Sequence, residues 1–286
     1  MPDLLLHSLA TFEPLITDLL ETTGARQVAE IGGEGGLFTK QLVEWADRVD
    51  GEVHCVDPSP SPQLDRLARS AERLRLLRVA SPAAFEQLPP LDVCIIDGDH
   101  NYWTVTSELG ALDGRLQDVE RPALVVLHDV SWPCARRDSY YAPERIPAGA
   151  LHEHSHNGGA VPGEAALQET GFSSAAQWAW ARREGGPRNG VLSAVEDFLV
   201  ERPVLELQMV PAVFGLGVLF ASGAPWAERV RSLVAPYQHG LIARLESNRI
   251  ELYLEVLRLQ RELERRSRVH QLQLDRHPAV DGRERR

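Results

Sequence analysis

The sequence predicts a doubly wound α/β fold, and three observations lead to this prediction. Five short apolar runs in the first 130 residues are rich in β-branched residues, which is typical of strands buried on both faces of a parallel sheet. Segments with apolar residues at helical spacing separate these runs, and such alternation indicates a doubly wound sheet. After residue 187 the pattern returns and finishes in two strands with a short connection, which predicts an antiparallel last strand.

Each predicted strand corresponds to one apolar run, and each predicted helix to one segment with helical spacing. The seven predicted strands cover residues 27–31, 52–56, 74–79, 92–96, 123–127, 204–210 and 216–221. The predicted helices between them cover residues 37–46, 62–74, 102–112 and 189–200.

The C-terminal part predicts one long polar helix from about residue 236 to 274. Leucine and valine side chains recur along it at a coiled-coil spacing, flanked by Arg and Glu. Arg249 and Arg266 interrupt this seam, so two interpretations stay open: a coiled coil with a partner chain, or a helix packed on its own domain. The seam consists of Leu245, Leu252, Val256, Leu259 and Leu263.

The same patterns divide the chain into five parts. Residues 1–130 are predicted to form a ligand-binding α/β core, and residues 188–222 complete its sheet. Residues 131–187 lack sustained periodicity and are rich in Pro, Gly, His and aromatic residues, which favours a lid over the binding site. Residues 223–274 form the helical extension, and residues 275–286 are predicted to be a disordered tail.

Composition narrows the class of protein. The chain of 286 residues has a formal net charge of −11, which argues against a general nucleic-acid or membrane-surface binder. No apolar run approaches the length of a membrane span, and the N-terminus does not resemble a secretory signal. The three cysteines lie far apart, so we expect neither a disulfide framework nor a cysteine zinc site, and we expect a cytoplasmic location.

The strongest motif runs from Glu30 to Gly36 (EIGGEGG), after the first predicted strand and before a helix. Glycines allow close approach of a ligand to the backbone, and a helix N-terminus offers unpaired N–H groups. A dinucleotide fingerprint has a third glycine where this chain has Phe38. The acid Glu30 suits a cationic or hydroxyl-bearing ligand better than a pyrophosphate. Asp57 ends the second strand, where a carboxylate accepts hydrogen bonds from ribose hydroxyls.

With these features, residues from about 28 to 221 resemble the class I S-adenosylmethionine (SAM)-dependent methyltransferases. That resemblance implies a Rossmann-like seven-stranded sheet and SAM as the cofactor. It also implies a role for each matching residue. Glu30, Gly32, Gly33 and Gly35 would surround the methionine part, Asp57 the ribose and Ser81 the adenine, with Asp97 beside the cofactor.

Two further motifs end the fourth and fifth strands, namely IDGDHNY (96–102) and LHDV (127–130). The ends of parallel strands meet at one edge of the sheet, so Asp97 and Asp129 are expected to face one another. Two such carboxylates favour a cation between them, and hard oxygen ligands suit Mg²⁺.

The first of these motifs resembles that of small-molecule O-methyltransferases of the catechol, caffeoyl-CoA and macrocin type. This resemblance implies metal ligands at Asp97 and Asp129, with His128 as the third. Val130 stands where the catechol type has Asn, which leaves open whether a metal is required. Alternatively, both aspartates are strand-end residues bonded to loop amides.

His100 is the candidate general base, with Asp99 beside it in the catalytic loop. A neutral imidazole can take a proton from a hydroxyl group as the oxygen attacks a methyl carbon.

The insert supplies candidate substrate contacts. Aromatic side chains there can stack on a ring, and Arg136 and Arg137 can hold a carboxylate or phosphate. The alternative is a lid packed by its own aromatics. An HxHxH run at His152, His154 and His156 is a weaker candidate for zinc or iron. The aromatic candidates are Tyr102, Trp132, Tyr140 and Tyr141.

The favoured interpretation is a SAM-dependent methyltransferase acting on a hydroxyl of a small molecule, such as a sugar or natural-product scaffold. Two alternatives stay open. One is an inactive assembly protein that keeps the fold and binds partners, or a second copy, through residues 241–270. The other is an NAD-dependent oxidoreductase, which Phe38 and Glu30 disfavour.

Overall fold

The computed structural model describes residues 5–276, with side chains as far as residue 268. Its centre is a seven-stranded sheet. The strands are β1 (Gln27–Ile31), β2 (Glu52–Val56), β3 (Leu74–Leu77), β4 (Val93–Ile96), β5 (Leu124–His128), β9 (Leu205–Val210) and β10 (Leu216–Ala221). The order across the sheet is β3-β2-β1-β4-β5-β10-β9, and β10 is antiparallel to both of its neighbours. The predicted doubly wound sheet with an antiparallel last strand is therefore confirmed.

Helices cover both faces of this sheet. One face packs against α1 (Glu13–Thr23), α2 (Leu37–Val49) and α7 (Ala227–Val234), and the other against α5 (Tyr102–Leu116) and α6 (Val191–Val200). The short helices α3 (Pro62–Ser70) and α4 (Ser81–Ala84) follow β2 and β3. Because both faces are covered, the central strands β4 and β5 are fully buried, which explains their continuous apolar sequence.

The predicted strand positions agree with the structure to within two residues. Helix boundaries differ more: α5 runs four residues beyond its predicted end, and α3 ends at Ser70 because Ala71 adopts an extended conformation. Helix α1 was not predicted. It is amphipathic, buries four apolar side chains and ends at Gly24 in the left-handed conformation.

The segment after β5 contains structure that the sequence patterns did not reveal. It forms a second sheet of three antiparallel strands, β6 (Ser139–Tyr140), β7 (His154–Ser155) and β8 (Ala179–Ala181), in the order β6-β8-β7. Strands of two or three residues are too short to show a period of two. Asp138 anchors this sheet, because its buried carboxylate accepts hydrogen bonds from the backbone N–H groups of Tyr102 and Gly190.

The chain continues into a helix of 37 residues, α8 (Gly240–Arg276). The predicted disordered tail therefore overlaps the helix at residues 275 and 276, and its remainder lies outside the described residues. Among the described helices, none combines the length and apolar character that a bilayer crossing requires.

Candidate active site

The glycine loop after β1 is packed so tightly that it requires glycine. Gly32 has a φ of +91°, and a Cβ atom there would lie 2.2 Å from the carbonyl oxygen of Asp97. A Cβ on Gly33 would lie 2.5 Å from the sulfur of Cys55 and from a methyl group of Leu64. The loop is therefore pressed against the ends of β2 and β4, where its backbone N–H groups face the carboxyl edge of the sheet.

Asp57 lies directly beside this loop. Its Oδ2 accepts hydrogen bonds from the backbone N–H groups of Gly33 (3.2 Å) and Glu34 (3.1 Å), and its Oδ1 from that of Ser59 (2.8 Å). The acid at the end of β2 thus also shapes the glycine loop. A ligand that hydrogen-bonds to this carboxylate is held next to the glycine backbone.

Glu30 is a buried acid without a full set of partners. Its side chain is 2% exposed, and its Oε2 has no hydrogen-bond partner among the described residues. Burial raises the pKa of Glu30 to about 8, although hydrogen bonds with Thr39 and Cys55 oppose the shift. A buried carboxyl with a free oxygen is costly unless a ligand completes its hydrogen bonds.

Glu30 borders a cavity of about 540 Å³. The N-terminal segment forms its other wall, so this segment covers the glycine loop from outside. The cavity is lined by residues 5–11, by Glu30, Gly32, Gly33, Glu34 and Gly35, and by Leu37, Phe38, Gln41 and Asp97.

Ser81 is the first residue of α4 and is almost completely buried. Its hydroxyl donates a hydrogen bond to Oε1 of Glu108, a fully buried residue of α5. Burial raises the pKa of Glu108 to about 8, and the bond from Ser81 opposes that shift. This bond ties the start of α4 to α5.

The ends of β4 and β5 bring together two aspartates and two histidines. Nδ1 of His128 lies 3.0 Å from Oδ1 of Asp97 and 3.1 Å from Oδ2 of Asp129. Nε2 of His128 donates to the carbonyl oxygen of Val213 at 2.9 Å. Nε2 of His100 lies 3.6 Å from Oδ2 of Asp129. The predicted meeting of Asp97 and Asp129 is therefore observed, with a histidine between them.

His128 acts as the cation of this group. Burial alone would lower its pKa, but the charges of Asp97 and Asp129 outweigh burial and hold the pKa well above the usual value. For Asp129, burial opposes ionisation, yet His100 and His128 lower its pKa to about 2. An imidazolium has no lone pair, so in this state His128 cannot serve as a metal ligand.

The structure indicates a different third ligand for a metal. Ligand atoms of Asp97, His100 and Asp129 all lie within 4.8 Å of one another. Two carboxylates and an imidazole suit a divalent ion. His100 takes the place in this set that the sequence assigned to His128.

The insert holds the loop of Asp99 and His100 in place through its first strand and the residue that follows it. Ser139 N–H donates to the carbonyl oxygen of His100 (3.0 Å), and Tyr141 N–H donates to Oδ1 of Asp99 (3.0 Å). Asp99 is mostly enclosed. Its burial raises its pKa, while the bond from Tyr141 and the charge of His100 lower it. His100 is thus fixed between the sheet and the insert.

Aromatic side chains form one wall beside His100. The ring of Tyr141 is half exposed, with its centre 6.2 Å from that of His100 and 5.6 Å from that of Trp178. Tyr141 is one of the stacking candidates predicted from the sequence, whereas Trp178 was not predicted. Nothing short of the folded insert identifies Trp178, because β8 brings it to this position from about 40 residues away along the chain.

Two of the predicted substrate contacts, Arg137 and Tyr140, lie inside the insert and bond to its own groups. Arg137 is fully buried and donates to the carbonyl oxygens of Ala181, Glu164 and Ala165, so it stabilises the insert. Tyr140 is also fully buried, and its hydroxyl donates to Asp138.

The other predicted contacts are engaged within the protein too. Arg136 forms a two-bond pair with Glu196 of α6. The hydroxyl of Tyr102 donates to Asp197. The ring of Trp132 packs near Phe172 at 6.0 Å.

The three histidines of the HxHxH run do not converge. His152 Nε2 donates to the carbonyl oxygen of Arg188, and His154 Nδ1 donates to that of His152. The metal-type group found in residues 5–268 is the one at Asp97, so nothing here favours zinc or iron at the HxHxH run.

Comparison with known proteins agrees with the fold and motifs. Residues 29–130 match a family model described as "Methyltransferase domain". A search of curated protein sequences returned no significant match.

Solved structures with a similar fold include three methyltransferases. One is provisionally named a caffeoyl-CoA O-methyltransferase from Staphylococcus aureus (13% identity, 74% of this chain and 83% of that chain, TM-score 0.46). Another is the SAH-bound methyltransferase PaMTH1 from Podospora anserina (12%, 73% and 77%, TM-score 0.43). The third is the MycE methyltransferase of the mycinamycin biosynthetic pathway with Mg and SAH (19%, 42% and 31%, TM-score 0.31).

The family match covers β1 to the end of β5, the same segment that carries the glycine loop, Asp57 and the Asp97–Asp129 pair. Residues 29–130 therefore resemble a methyltransferase domain.

Proposed function

We propose that this protein transfers a methyl group from SAM to a hydroxyl group of a small molecule. The observation that carries the proposal is the buried Glu30 carboxyl with its unpartnered oxygen. It lies at a cavity that also reaches Asp97, one of the residues at the strand ends. When bound, SAM supplies a methyl group on a positively charged sulfur. The site fits that cofactor, because the α-ammonium group of SAM would donate a hydrogen bond to the unpartnered oxygen of Glu30.

Other residues would hold the remaining parts of the cofactor. The glycine backbone would allow close approach, and Asp57, which lies beside this loop, would accept hydrogen bonds from ribose hydroxyls. Ser81 would contact the adenine, with its hydroxyl oriented by Glu108.

His100 is the proposed general base. Both ring nitrogens of His128 are already engaged, whereas Nε2 of His100 faces the site at 3.6 Å from Asp129. The neutral imidazole of His100 would accept the hydroxyl proton at Nε2, and the nearby Asp129 carboxylate would stabilise the imidazolium that forms. Asp99 positions this group, because it binds the backbone of Tyr141.

The proposal also includes a divalent metal that assists the reaction. Asp97, Asp129 and His100 would hold it, and its chemistry would be to lower the pKa of the hydroxyl group. The lone pair of His100 cannot bind a metal and accept a proton at once. Activity before and after chelation therefore distinguishes the metal-assisted form from the base-catalysed form.

The charges around the site favour an uncharged acceptor with a ring. Burial raises the pKa of the Tyr141 phenol, and the carboxylates of Asp129 and Asp97 add to this rise. The neighbouring Arg136 and Arg137 are already paired or buried, so they do not offset these carboxylates. An aromatic wall with this charge suits a sugar or a natural-product scaffold and disfavours phosphates and carboxylates.

The test combines binding and turnover. The protein would be incubated with SAM and a panel of uncharged polyhydroxylated compounds, and mass spectrometry would detect the demethylated cofactor and a product heavier by one methylene unit. His100→Ala is expected to bind SAM like the wild type and to lose turnover. If the protein binds SAM but no compound is methylated, the result would support the assembly-protein interpretation instead. If it binds NAD and not SAM, the proposal fails.

A further inference from the structure

The outer face of α8 carries a row of five leucines, here named the leucine stripe. These side chains are between 44% and 63% exposed. At about 100° of rotation per residue, they fall within an arc of about 40°, and they extend over about 33 Å of the helix. Soluble proteins rarely expose so continuous an apolar surface without a partner. The stripe consists of Leu241, Leu245, Leu252, Leu259 and Leu263.

The opposite face of α8 packs on the rest of the chain. Glu246 and Ile250 are buried, the ring of Tyr253 lies 6.1 Å from that of Phe172, and Arg261 donates to two carbonyl oxygens of the insert. On the same projection these residues lie about 100° to 180° away from the centre of the stripe. The stripe therefore points away from the body of its own protomer and is open to a second molecule.

The spacing of the five leucines along the sequence is symmetric about Leu252. Successive leucines are separated by four, seven, seven and four residues, so the pattern reads the same in both directions from Leu252. When two copies of α8 lie antiparallel with Leu252 at the centre, Leu241 is level with Leu263 of the second copy. Leu245 is then level with Leu259, and Leu252 with itself. We infer that a second copy of this chain docks on the leucine stripe in this antiparallel arrangement, which forms a homodimer.

The charges beside the stripe favour the same arrangement. Arg244 and Glu262 lie on the same flank, at about the same angle from the stripe. In the antiparallel pair each Arg244 comes within about one turn of Glu262 of the second copy, and Asn248 lies one residue from the level of Glu255. A parallel pair would instead bring Arg244 near Arg249 of the second copy, which places like charges together.

A lipid surface is a poorer occupant for this face. Helices that lie on membranes have polar faces rich in Lys and Arg. Here the acids Glu251, Glu255 and Glu262 share the borders of the stripe with Arg244, Arg249 and Arg266. Because these borders carry both signs of charge, they suit a second copy that offers complementary charges better than an anionic lipid surface.

The first experiment measures the mass of the full-length protein by sedimentation equilibrium over a concentration series. The expected mass is twice the 31.8 kDa of one chain. Leu252→Glu places two like charges at the centre of the interface and is expected to raise the dissociation constant of the dimer at least tenfold. The matched control is Val200→Glu, because Val200 is 80% exposed and lies at the end of α6.

The outcomes of that experiment are decisive because Leu252 is 60% exposed and its replacement removes little packing within one protomer. Thermal unfolding of both variants, followed by circular dichroism, checks that they fold. A monomeric wild-type protein would overturn the inference. A dimer that Leu252→Glu leaves intact would overturn it as well.

The second experiment determines the orientation by disulfide cross-linking. The native cysteines are buried, so a new exposed cysteine reacts selectively. A mixture of Leu245→Cys and Leu259→Cys proteins is expected to cross-link, whereas Leu245→Cys alone is not. Cross-linking of Leu245→Cys alone at the rate of the mixture would overturn the antiparallel arrangement.

Discussion

The carboxylate of Glu246 accepts a hydrogen bond from the backbone N–H of Phe214 at 3.0 Å. Through this bond, α8 holds the turn before β10, in which Val213 and Phe214 have φ values of +50° and +62°. Side-chain-bearing residues rarely adopt this left-handed conformation, which costs about 1–2 kcal/mol per residue. The same turn presents the carbonyl oxygen of Val213 to Nε2 of His128. Glu246 thus positions a histidine of the candidate active site from a distant helix.

Replacing Glu246 is therefore expected to affect both stability and turnover. Glu246→Ala leaves a buried N–H group without a partner and should lower the free energy of unfolding by about 1–3 kcal/mol. It should also reduce turnover, because the carbonyl that orients His128 is released. Glu246→Gln keeps an acceptor oxygen and should retain most of both. Urea unfolding and the methyl-transfer assay check this, and equal loss in the two variants would contradict the positioning role.

Replacing the adjacent arginines Arg136 and Arg137 is expected to lower the free energy of unfolding by very different amounts. Arg137→Ala removes the donor to three carbonyl oxygens of the insert, of which that of Ala181 is in a buried hydrogen bond, and should cost about 2–4 kcal/mol of unfolding free energy. Arg136→Ala breaks a largely exposed ion pair with Glu196 and should cost less than about 1 kcal/mol. Chemical denaturation of the two variants side by side measures the difference. Similar losses would show that the position assigned to Arg137 is wrong.

Binding of SAM should release a proton from Glu30. Its pKa of about 8 means that the carboxyl is mostly protonated at pH 7, whereas pairing with an α-ammonium group favours the ionised form. Calorimetric titration in buffers with different ionisation enthalpies should report release approaching one proton at pH 7. Glu30→Gln should abolish it, and Glu108→Gln, a second buried acid with a raised pKa, should not. No proton release in the wild type would contradict the contact.

The same group gives the sign of a stability effect in the ligand-free protein. The unfolded carboxyl ionises near pH 4.5 and the folded one near pH 8, so between these values the folded state binds more protons. The free energy of unfolding should therefore fall as the pH rises through this window. In Glu30→Gln the free energy of unfolding should fall less between pH 5 and pH 8 than in the wild type, as measured by urea unfolding at both pH values.

How far the sequence predicts this protein depends on the distance over which each signal acts. Strands β1 and β2 and the glycine loop between them were predicted correctly, because buried strands and close-packed glycines leave local patterns. The sequence predicted His100 as the general base and His128 as a metal ligand, but only the fold shows that Val213 engages His128 and that His100 converges with Asp97 and Asp129. The insert was the least predictable part. Arg137 and Tyr140 look like surface recognition residues in sequence, but short strands bury them.

Metal binding should distinguish the two histidines. His100→Ala removes one of the three converging ligands and should weaken binding of Mn²⁺, used as a probe, at least tenfold. His128→Gln removes the positive charge between Asp97 and Asp129 and should strengthen binding of a cation instead. Titration calorimetry gives both constants, with Asp97→Asn as the control that should lose binding. Weaker binding in His128→Gln than in His100→Ala would support His128 as the ligand.

The loop from Glu30 to Gly36 and the acid Asp57 form the proposed SAM site. Gly33→Ala tests the loop directly, because the new Cβ would collide with Cys55 and Leu64 beneath it. Gly114→Ala is its control, since a Cβ in that helical position meets no atom within 4 Å.

The most direct measurement is calorimetric titration of the full-length protein with SAM and, separately, with NAD. One SAM should bind per chain in the wild type and in Gly114→Ala, at least tenfold more weakly in Gly33→Ala, and NAD should give no heat of binding. Absence of SAM binding in the folded wild-type protein, or binding that Gly33→Ala leaves unchanged, would contradict the assignment.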